Sequence, residues 1–346
     1  MLHNVSIIIP TWNGLRYLPT CLNAVQRQTY PQYEVVLVDN GSSDGSCEFV
    51  ANHYPKVHVL RVERNLGFAG GTNFGIRNTH SEYVATLNDD TEVEPTWLEE
   101  LVTAMDSDVS IGMCASKMLF YDQRQVINSA GIAVDRVGIA WDREGGKPDD
   151  SAESKPCEIF GPCAGAALYR RAMLDEIGLF DDEYFAYLED VDLAWRAQAC
   201  GWRCLYVPSA RVYHVHSASG QEGSSFKHYL LGRNKWWTII KNYPWPHWLL
   251  YGLLSFAYDL MATVYGMVIN RNLYGLRGRL AAFQSLPAVL RKRRAIQSCS
   301  RYSAPRAFAC LSPLDFPTRV WLRFGHLQSS RYHIDNCNVK VNGSLL

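Results

Sequence analysis

The feature that most constrains this chain's fold is a pattern repeated three times before residue 88: a short β-branched run stops at small polar residues, and a helix-spaced segment follows. In the first repeat Val5-Ser6-Ile7-Ile8-Ile9 closes on Pro10 and turns through Thr11-Trp12-Asn13-Gly14, after which Tyr17, Leu18, Cys21, Leu22 and Val25 fall at helical spacing. The second run, residues 34–38, enters Asp39-Asn40-Gly41-Ser42-Ser43-Asp44-Gly45 before a helical pattern holding Phe49 and Val50. The third, residues 57–62, leads to Asn65-Leu66-Gly67-Phe68-Ala69-Gly70-Gly71-Thr72-Asn73. A fourth run, Tyr83-Val84-Ala85-Thr86-Leu87, breaks off at Asn88-Asp89-Asp90. Strands alternating with helices predict an α/β fold with a mainly parallel sheet and right-handed crossovers. Ligands bind such sheets beyond the carboxyl ends of the strands, where these four polar clusters gather.

Each cluster admits a functional and a plain reading. Adjacent carboxylates at Asp89 and Asp90 repel each other and suit a divalent cation, or they form a solvated turn. The segment 39–45 offers carbonyls, amides and a carboxylate to a base and ribose, or is an Asn-Gly turn with a helix cap. Glycines after Asn65 allow close backbone approach and anion binding at a helix start. The spacing after strand one does not match G-x-G-x-x-G, and no G-x-x-x-x-G-K-[ST] is present, which argues against a dinucleotide-binding dehydrogenase and a P-loop enzyme.

At 346 residues the chain is longer than one average domain. A formal net charge of zero with 20% charged residues argues against nucleic-acid binding. Ten scattered cysteines and an N-terminal segment without a basic start followed by a long apolar run predict a reduced, cytoplasmic protein. Cys200 and Cys204 share a face only in a helix, and the intervening Gly201 weakens a zinc reading.

Downstream, Pro95-Thr96-Trp97-Leu98-Glu99-Glu100 opens a helix. Residues 112–160 read as irregular, with apolar stretches at 113–119 and 132–134 and a polar loop at 142–154 suited to a lid or an acceptor loop. Residues 160–169 suit a strand beneath a ligand. A helix entered near Glu189 and capped by Gly201 sets Asp190 at a helix start, as a hydroxyl-activating base or as one of several acids answering the helix dipole. Val212-Tyr213-His214-Val215-His216 puts two imidazoles on one strand face, as structural residues or as a complement to Asp90. Arg233, in the helix that follows, is available for phosphate.

Residues 245–269 are about long enough to span a bilayer, which takes around 20 apolar residues, but a central Asp259 costs roughly 2.5 to 3.5 kcal/mol of insertion free energy. A helix lying in the membrane interface or packed on the rest of the protein is therefore expected, with Arg291-Lys292-Arg293-Arg294 favouring an anionic surface. A buried helical hairpin is the other reading.

Taken in order, Thr11-Trp12-Asn13-Gly14, Val38-Asp39-Asn40-Gly41, Asn65-Leu66-Gly67, Leu87-Asn88-Asp89-Asp90, Gly178-Leu179-Phe180-Asp181 and Leu188-Glu189-Asp190-Val191-Asp192-Leu193 resemble the family 2 glycosyltransferases, across residues 4–295. Within that family the chain is most similar to the rhamnosyltransferase-type branch of bacterial surface-polysaccharide enzymes. The resemblance implies a GT-A fold, Rossmann-like with a mainly parallel central sheet flanked by helices, and a C-terminal helical appendage. It divides the chain into a catalytic domain over 1–225 (donor part to about 110, acceptor part beyond), a helical and membrane-associated region over 226–297, and a tail over 298–346 of unread role.

It also implies an inverting single displacement from a dTDP- or UDP-sugar to a glycan or lipid-linked acceptor, with Mg²⁺ or Mn²⁺ and without nucleic acid, on the cytoplasmic side of the inner membrane. By the same resemblance Asp39 reads the base, while Pro10, Thr11, Asn13, Asn40, Gly41, Asn65, Gly67 and Gly71 line the nucleotide. Asn88-Asp89-Asp90 occupies the place of the D-x-D motif, with Asn88 giving an amide where that motif has a carboxylate. Asp90 and His214 are the implied metal ligands and Asp190 the base, with Glu189, Asp192 and Arg233 as acceptor or phosphate candidates. Two alternatives are a sugar-phosphate nucleotidyltransferase, which would carry a glycine- and basic-rich loop after strand one, and a catalytically silent scaffold, which would lack Asp90 or Asp190.

Overall fold

The computed structural model describes residues 2–215, 224–269, 271–299 and 301–314. The three predicted repeats form as β1 (Val5–Thr11), α1 (Leu18–Gln26), β2 (Tyr33–Asp39), α2 (Ser46–His53), β3 (Val57–Arg61) and α3 (Gly67–Arg77), followed by β4 (Tyr83–Leu87). β1 pairs in parallel with both β2 and β4, and β2 with β3, so the polar ends of all four strands lie at one edge. Apolar runs of this kind are buried on both faces: β1 and β4 are buried at every residue, as a parallel sheet between helices requires.

Most strands of the second half complete the same sheet, and two of them form a separate hairpin. After the short β5 (Thr91–Val93) and α4 (Trp97–Asp106) comes β6 (Ile111–Phe120), buried throughout, then β7 (Ile127–Ser129), β8 (Ile132–Val134), β9 (Ala140–Asp142) and β10 (Cys157–Ile159). β11 (Ala166–Arg170), α5 (Arg171–Ile177), α6 (Glu189–Ala199) and β12 (Arg203–His214) follow. The main path is β10-β12-β6-β11-β4-β1-β2-β3, with β11 antiparallel to both neighbours and β12 parallel to β6.

Residues 111–120 are therefore a central strand, where the sequence reads as irregular. Ser116 and Lys117 interrupt the apolar run, but Ser116 accepts from Trp97 Nε1 at 2.8 Å and Lys117 pairs with Asp149 at 2.7 Å. Satisfied in this way, both polar side chains stay in a buried strand.

The C-terminal helices are α7 (Ser225–Asn242), α8 (Trp245–Val268), α9 (Tyr274–Gln284), α10 (Leu286–Gln297) and α11 (Ala304–Ala309). α7 is not a separate appendage, because Ile239 and Tyr243 join the main core with Trp195 and Tyr169. α8 is inverted relative to an ordinary surface helix. Its buried stripe is polar, Ser255, Asp259 and Thr263, while Leu249 and Leu253 are 74% and 81% exposed. Asp259 accepts from Arg279, Lys235 and Trp236 Nε1 at 2.7 to 3.1 Å, so its charge is neutralised inside the protein.

Candidate active site

The four parallel strand ends, the loop before β11 and the start of α6 surround a cleft of about 750 Å³, within the range of small-molecule sites. Pro10, Thr11, Asn40, Asn65, Gly67, Asn88 and Asp89 line it from one side and Glu189 and Asp190 from the other. Ala140, Trp141 and Asp142 add a wall; of the polar loop 142–154 only Asp142 lines the cleft. Phe226, Lys227 and Leu231 of α7 add another.

Some predicted residues act behind this surface. Asp39 is fully buried; its Oδ1 accepts from Ser42 N at 2.9 Å, while Oδ2 lies 3.5 Å from Arg61 Nε with no aligned donor. Asn13, at φ 54, accepts from Ser43 N at 2.9 Å and joins the turn after β1 to the turn after β2. Gly41 sits at φ 73, and a Cβ there would meet Glu63 O at 3.1 Å. A Cβ on Gly71 would fall 2.5 Å from Asn40 Nδ2, so that glycine makes room for a cleft residue. Asn65 Oδ1 accepts from Gly67 N at 2.8 Å and shapes the entry to α3.

Pairing of β5 with β12 brings the acidic corner together. Thr91 lies opposite His214, and Val215 N donates to Asp90 O at 2.9 Å, so His214 Nε2 stands 3.2 Å from Asp90 Oδ1 across a gap of more than a hundred residues. Asp90 Oδ1 is buried and finds no aligned hydrogen-bond donor among the described residues. His214 Nδ1 lies 2.9 Å from Asn128 Oδ1, which assigns the proton to Nδ1 and turns Nε2 toward Asp90. Burial alone would lower the imidazole's pKa, but the Asp90 charge raises it overall. A carboxylate oxygen without a donor beside an imidazole nitrogen is a donor set that fits a divalent cation. His216, the second predicted imidazole, lies outside the described residues.

Asp89 plays a different part from its neighbour. It accepts from Thr11 Oγ1 at 2.6 Å, and burial together with the Asp90 charge pushes its pKa up to about 7. Gly14 is needed here as well, since a Cβ there would lie 2.1 Å from Asp89 Oδ2.

Across the cleft, Asp190 stands in the first turn of α6. Its Oδ2 accepts from Ala164 N at 3.3 Å and Oδ1 from its own neighbour Val191 N at 2.8 Å. Burial raises its pKa to about 6 against the pull of those amides, and Glu189 is pushed well above the usual carboxylate range. A fixed carboxylate with no cation paired to it among the described residues, titrating near neutrality, has the properties of a general base.

Two candidates are structural. Asp192 points away from the cleft, fully buried between Arg196 at 3.1 Å, Lys241 at 2.9 Å and Asn242 Nδ2 at 2.8 Å. Burial favours its neutral form, but Lys241 and Arg196 outweigh that and hold it far below the ordinary range. Arg233 is not available for phosphate, because its guanidinium donates to the carbonyls of Glu183 and Tyr184 at 2.8 and 3.0 Å and stacks 4.3 Å over Trp237. Nor do Cys200 and Cys204 form a pair. Cys204 is inside β12, and Cys200 Sγ instead lies 3.1 Å from Cys299 Sγ.

The sequence profile of Glycosyl transferase family 2 matches residues 6–178, which hold the strand-end lining of the cleft and the Asn88-Asp89-Asp90 turn. The chain belongs to this family.

Relatives extend the likeness past that segment. An N-acetylglucosaminyl-diphospho-decaprenol L-rhamnosyltransferase of Mycobacterium tuberculosis is 27% identical over 296 residues, 74% of this chain and 92% of its own length. The uncharacterized protein y4gI of Sinorhizobium fredii is 30% identical over 62% of this chain, and the match spans only 25% of that longer protein. Among solved structures, the mannosyltransferase PcManGT of Pyrobaculum calidifontis, in complex with GDP-Man and Mn²⁺, superposes with a TM-score of 0.53 at 19% identity, over 96% of this chain and 87% of that one. Agreement at that identity concerns the fold: a mixed α/β sheet flanked by helices, as in the GT-A glycosyltransferases.

Proposed function

We propose that this family 2 member transfers a sugar, with inversion, from a nucleoside-diphosphate sugar to a hydroxyl of a glycan or lipid-linked acceptor in cell-surface polysaccharide synthesis. The observation that carries the reading is Asp190: a carboxyl raised to about 6, without a cationic partner among the described residues, lining one cleft with Asp89 and the strand-end residues. A base of that pKa is mostly ionised at neutral pH and still accepts a proton as the acceptor oxygen attacks. Inversion follows from one carboxylate acting as base on the face opposite the leaving group.

Asp90 and His214 would hold a divalent cation, Mg²⁺ or Mn²⁺, and Asn88 Nδ2, 3.4 Å from His214 Nε2, would orient that corner. The cation supplies charge compensation for the departing diphosphate. Pro10, Thr11, Asn40, Asn65 and Gly67 bind the nucleotide, with Asp39, Asn13, Gly41 and Gly71 shaping the loops that carry them. Rhamnose as the sugar is supported by the name of the mycobacterial relative, and a dTDP- or UDP-linked donor by the motif resemblance.

The inverted helix α8 supports peripheral attachment to a membrane surface, and the family resemblance puts that surface on the cytoplasmic side. It is the one described helix long and apolar enough to cross a bilayer, but its polar stripe is committed to α7 and α9, which leaves the apolar face to lie along a lipid surface.

The test is a thermal-shift screen with UDP-, dTDP- and GDP-sugars, with and without Mn²⁺, followed by a nucleoside-diphosphate release assay on any stabilising donor. Metal-dependent stabilisation by at least one donor is the expected result, and none by any of them removes the transferase reading.

A further inference from the structure

The wall of the cleft that leads to Asp190 is built from backbone in an unusual state. Between the single 3-10 turn Asp182–Tyr184 and α6, the chain passes through Phe185 at φ 66, ψ −64, then Ala186, Tyr187 at φ 68 and Leu188 at φ 67. Ala186 N donates to Tyr184 O at 2.8 Å around Phe185, which makes a γ-turn of the rare, strained hand. None of the three left-handed residues is Gly, Asn or Asp, so local preference opposes the path and the surroundings must hold it. All three, with Ala186, line the cleft, and Leu188 is the N-cap of the helix whose first turn carries Asp190.

The surroundings that hold it are on α7. Asn234 is completely buried, and its Nδ2 lies 3.1, 2.9 and 2.8 Å from the carbonyl oxygens of Tyr184, Ala186 and Tyr187. Its Oδ1 accepts from Arg233 Nε at 2.9 Å, which fixes the end of the amide that faces the segment. From the opposite side, Phe185 O accepts from Ala69 N at 3.1 Å, and a Cβ on Gly67 would lie 2.3 Å from the same oxygen. The segment is thus pinned between the donor-side entry to α3 and one amide of α7.

We propose that Asn234 is a positioning residue for the transfer reaction: its amide holds Phe185–Leu188 in the left-handed path that shapes the acceptor wall and orients Asp190. The proposal rests on Asp190 being the base, but it concerns a residue that touches neither substrate nor reacting atoms. It makes α7 part of the catalytic unit, since the clamp lies beyond the segment matched by the family profile. It also explains why Phe185–Leu188 tolerates non-glycine residues: three carbonyls gathered on one side are answered by one side-chain amide.

The test compares the full chain with Asn234→Ala, Asn234→Ser, Asn234→Ala/Leu188→Gly and Asp190→Asn. Hydrogen exchange is read at residues 184–190, UDP binding by calorimetry, and nucleoside-diphosphate release from UDP-N-acetylglucosamine and dTDP-rhamnose with water as the acceptor. Asn234→Ala should keep the far-ultraviolet circular dichroism of the parent and accelerate exchange in 184–190 at least about tenfold, with UDP affinity changed less than about threefold. Release should fall about thirtyfold or more, through kcat. Leu188→Gly adopts a positive φ without strain and should recover part of both losses. If Asn234→Ala does not fold, Asn234→Ser, which keeps one short donor, should show the same localised loss at smaller size.

Exchange at 184–190 within twofold of the parent, or a loss spread over the whole chain that glycine does not rescue, overturns the proposal. The base assignment fails separately, when Asp190→Asn releases nucleoside diphosphate at the parent rate while the exchange pattern of Asn234→Ala stays as described.

Discussion

His214 Nε2 stands 3.2 Å from Asp90 Oδ1 because β5 pairs with the last residues of β12. The contact gathers two donors of different chemistry at the end of β4, where a single acidic residue would bind a divalent ion weakly. Asp90→Ala and His214→Ala should each weaken Mn²⁺ binding by about 10- to 100-fold, measured by titration calorimetry, and chelation should abolish donor-induced stabilisation. Equal Mn²⁺ affinity in both variants and the parent would remove the assignment.

Asp190 is predicted to cost stability in exchange for function. Its folded pKa of about 6 is above that of an ordinary Asp, so the group contributes stability below the unfolded pKa and loses it as pH rises through 6. At pH 7.5 Asp190→Asn should therefore raise the unfolding free energy by roughly 1 to 3 kcal/mol while lowering turnover at least about 10³-fold. Chemical denaturation and donor turnover read the two effects, and a destabilised variant would contradict the burial of an uncompensated charge.

The acid limb of the parent's kcat/KM profile should have an apparent pKa near 6, set by the same carboxyl. An activity profile flat between pH 5 and 7.5 would assign proton removal to another group.

Asp192 has the opposite linkage. Lys241 and Arg196 depress its pKa against the effect of burial, so its contribution is present above the unfolded pKa near 4 and is lost as pH falls below it. Asp192→Asn leaves the buried Arg196 without its carboxylate and Lys241 with Asp181 alone, and should destabilise the fold by about 3 to 5 kcal/mol. The loss should appear in urea unfolding at pH 7, before any effect on the chemistry.

On α8, Leu249→Glu/Leu253→Glu adds charge at the two most exposed leucines of the helix and leaves the Asp259 network untouched. Flotation with anionic vesicles should fall several-fold while UDP binding stays unchanged. Undiminished flotation would assign the membrane contact to another surface.

The first half of the sheet is legible in the sequence because its determinants are local. Each of the first four strands is a short apolar run with its own polar stop, and each helix between them carries its own periodicity. The inverted α8 was half legible: its length and its central Asp259 were plain, but not the direction in which that aspartate points. The strand Ile111–Phe120 was not legible, since Lys117 breaks its pattern and is reconciled by Asp149, an acid in a short 3-10 turn (Asp149–Ser151) later in the chain.

For the site, sequence by itself determined which chemical groups stand at the strand ends and at the start of α6, because a carboxylate or amide after a strand is fixed by chain order. Only the tertiary structure decided which of them act together. Asp190 and Asp192 are two residues apart on one helix, yet the helical turn sends the first into the cleft and the second into a cage of Lys241 and Arg196. Arg233 likewise reads as available for phosphate until the carbonyls of a strained segment some fifty residues earlier take up its donors, and Asn234, which nothing in the sequence singles out, is claimed by the same segment. The physical reason is the same in both cases. Charge and hydrogen-bonding capacity belong to the residue, whereas the partner that uses them comes from elements far apart in the chain.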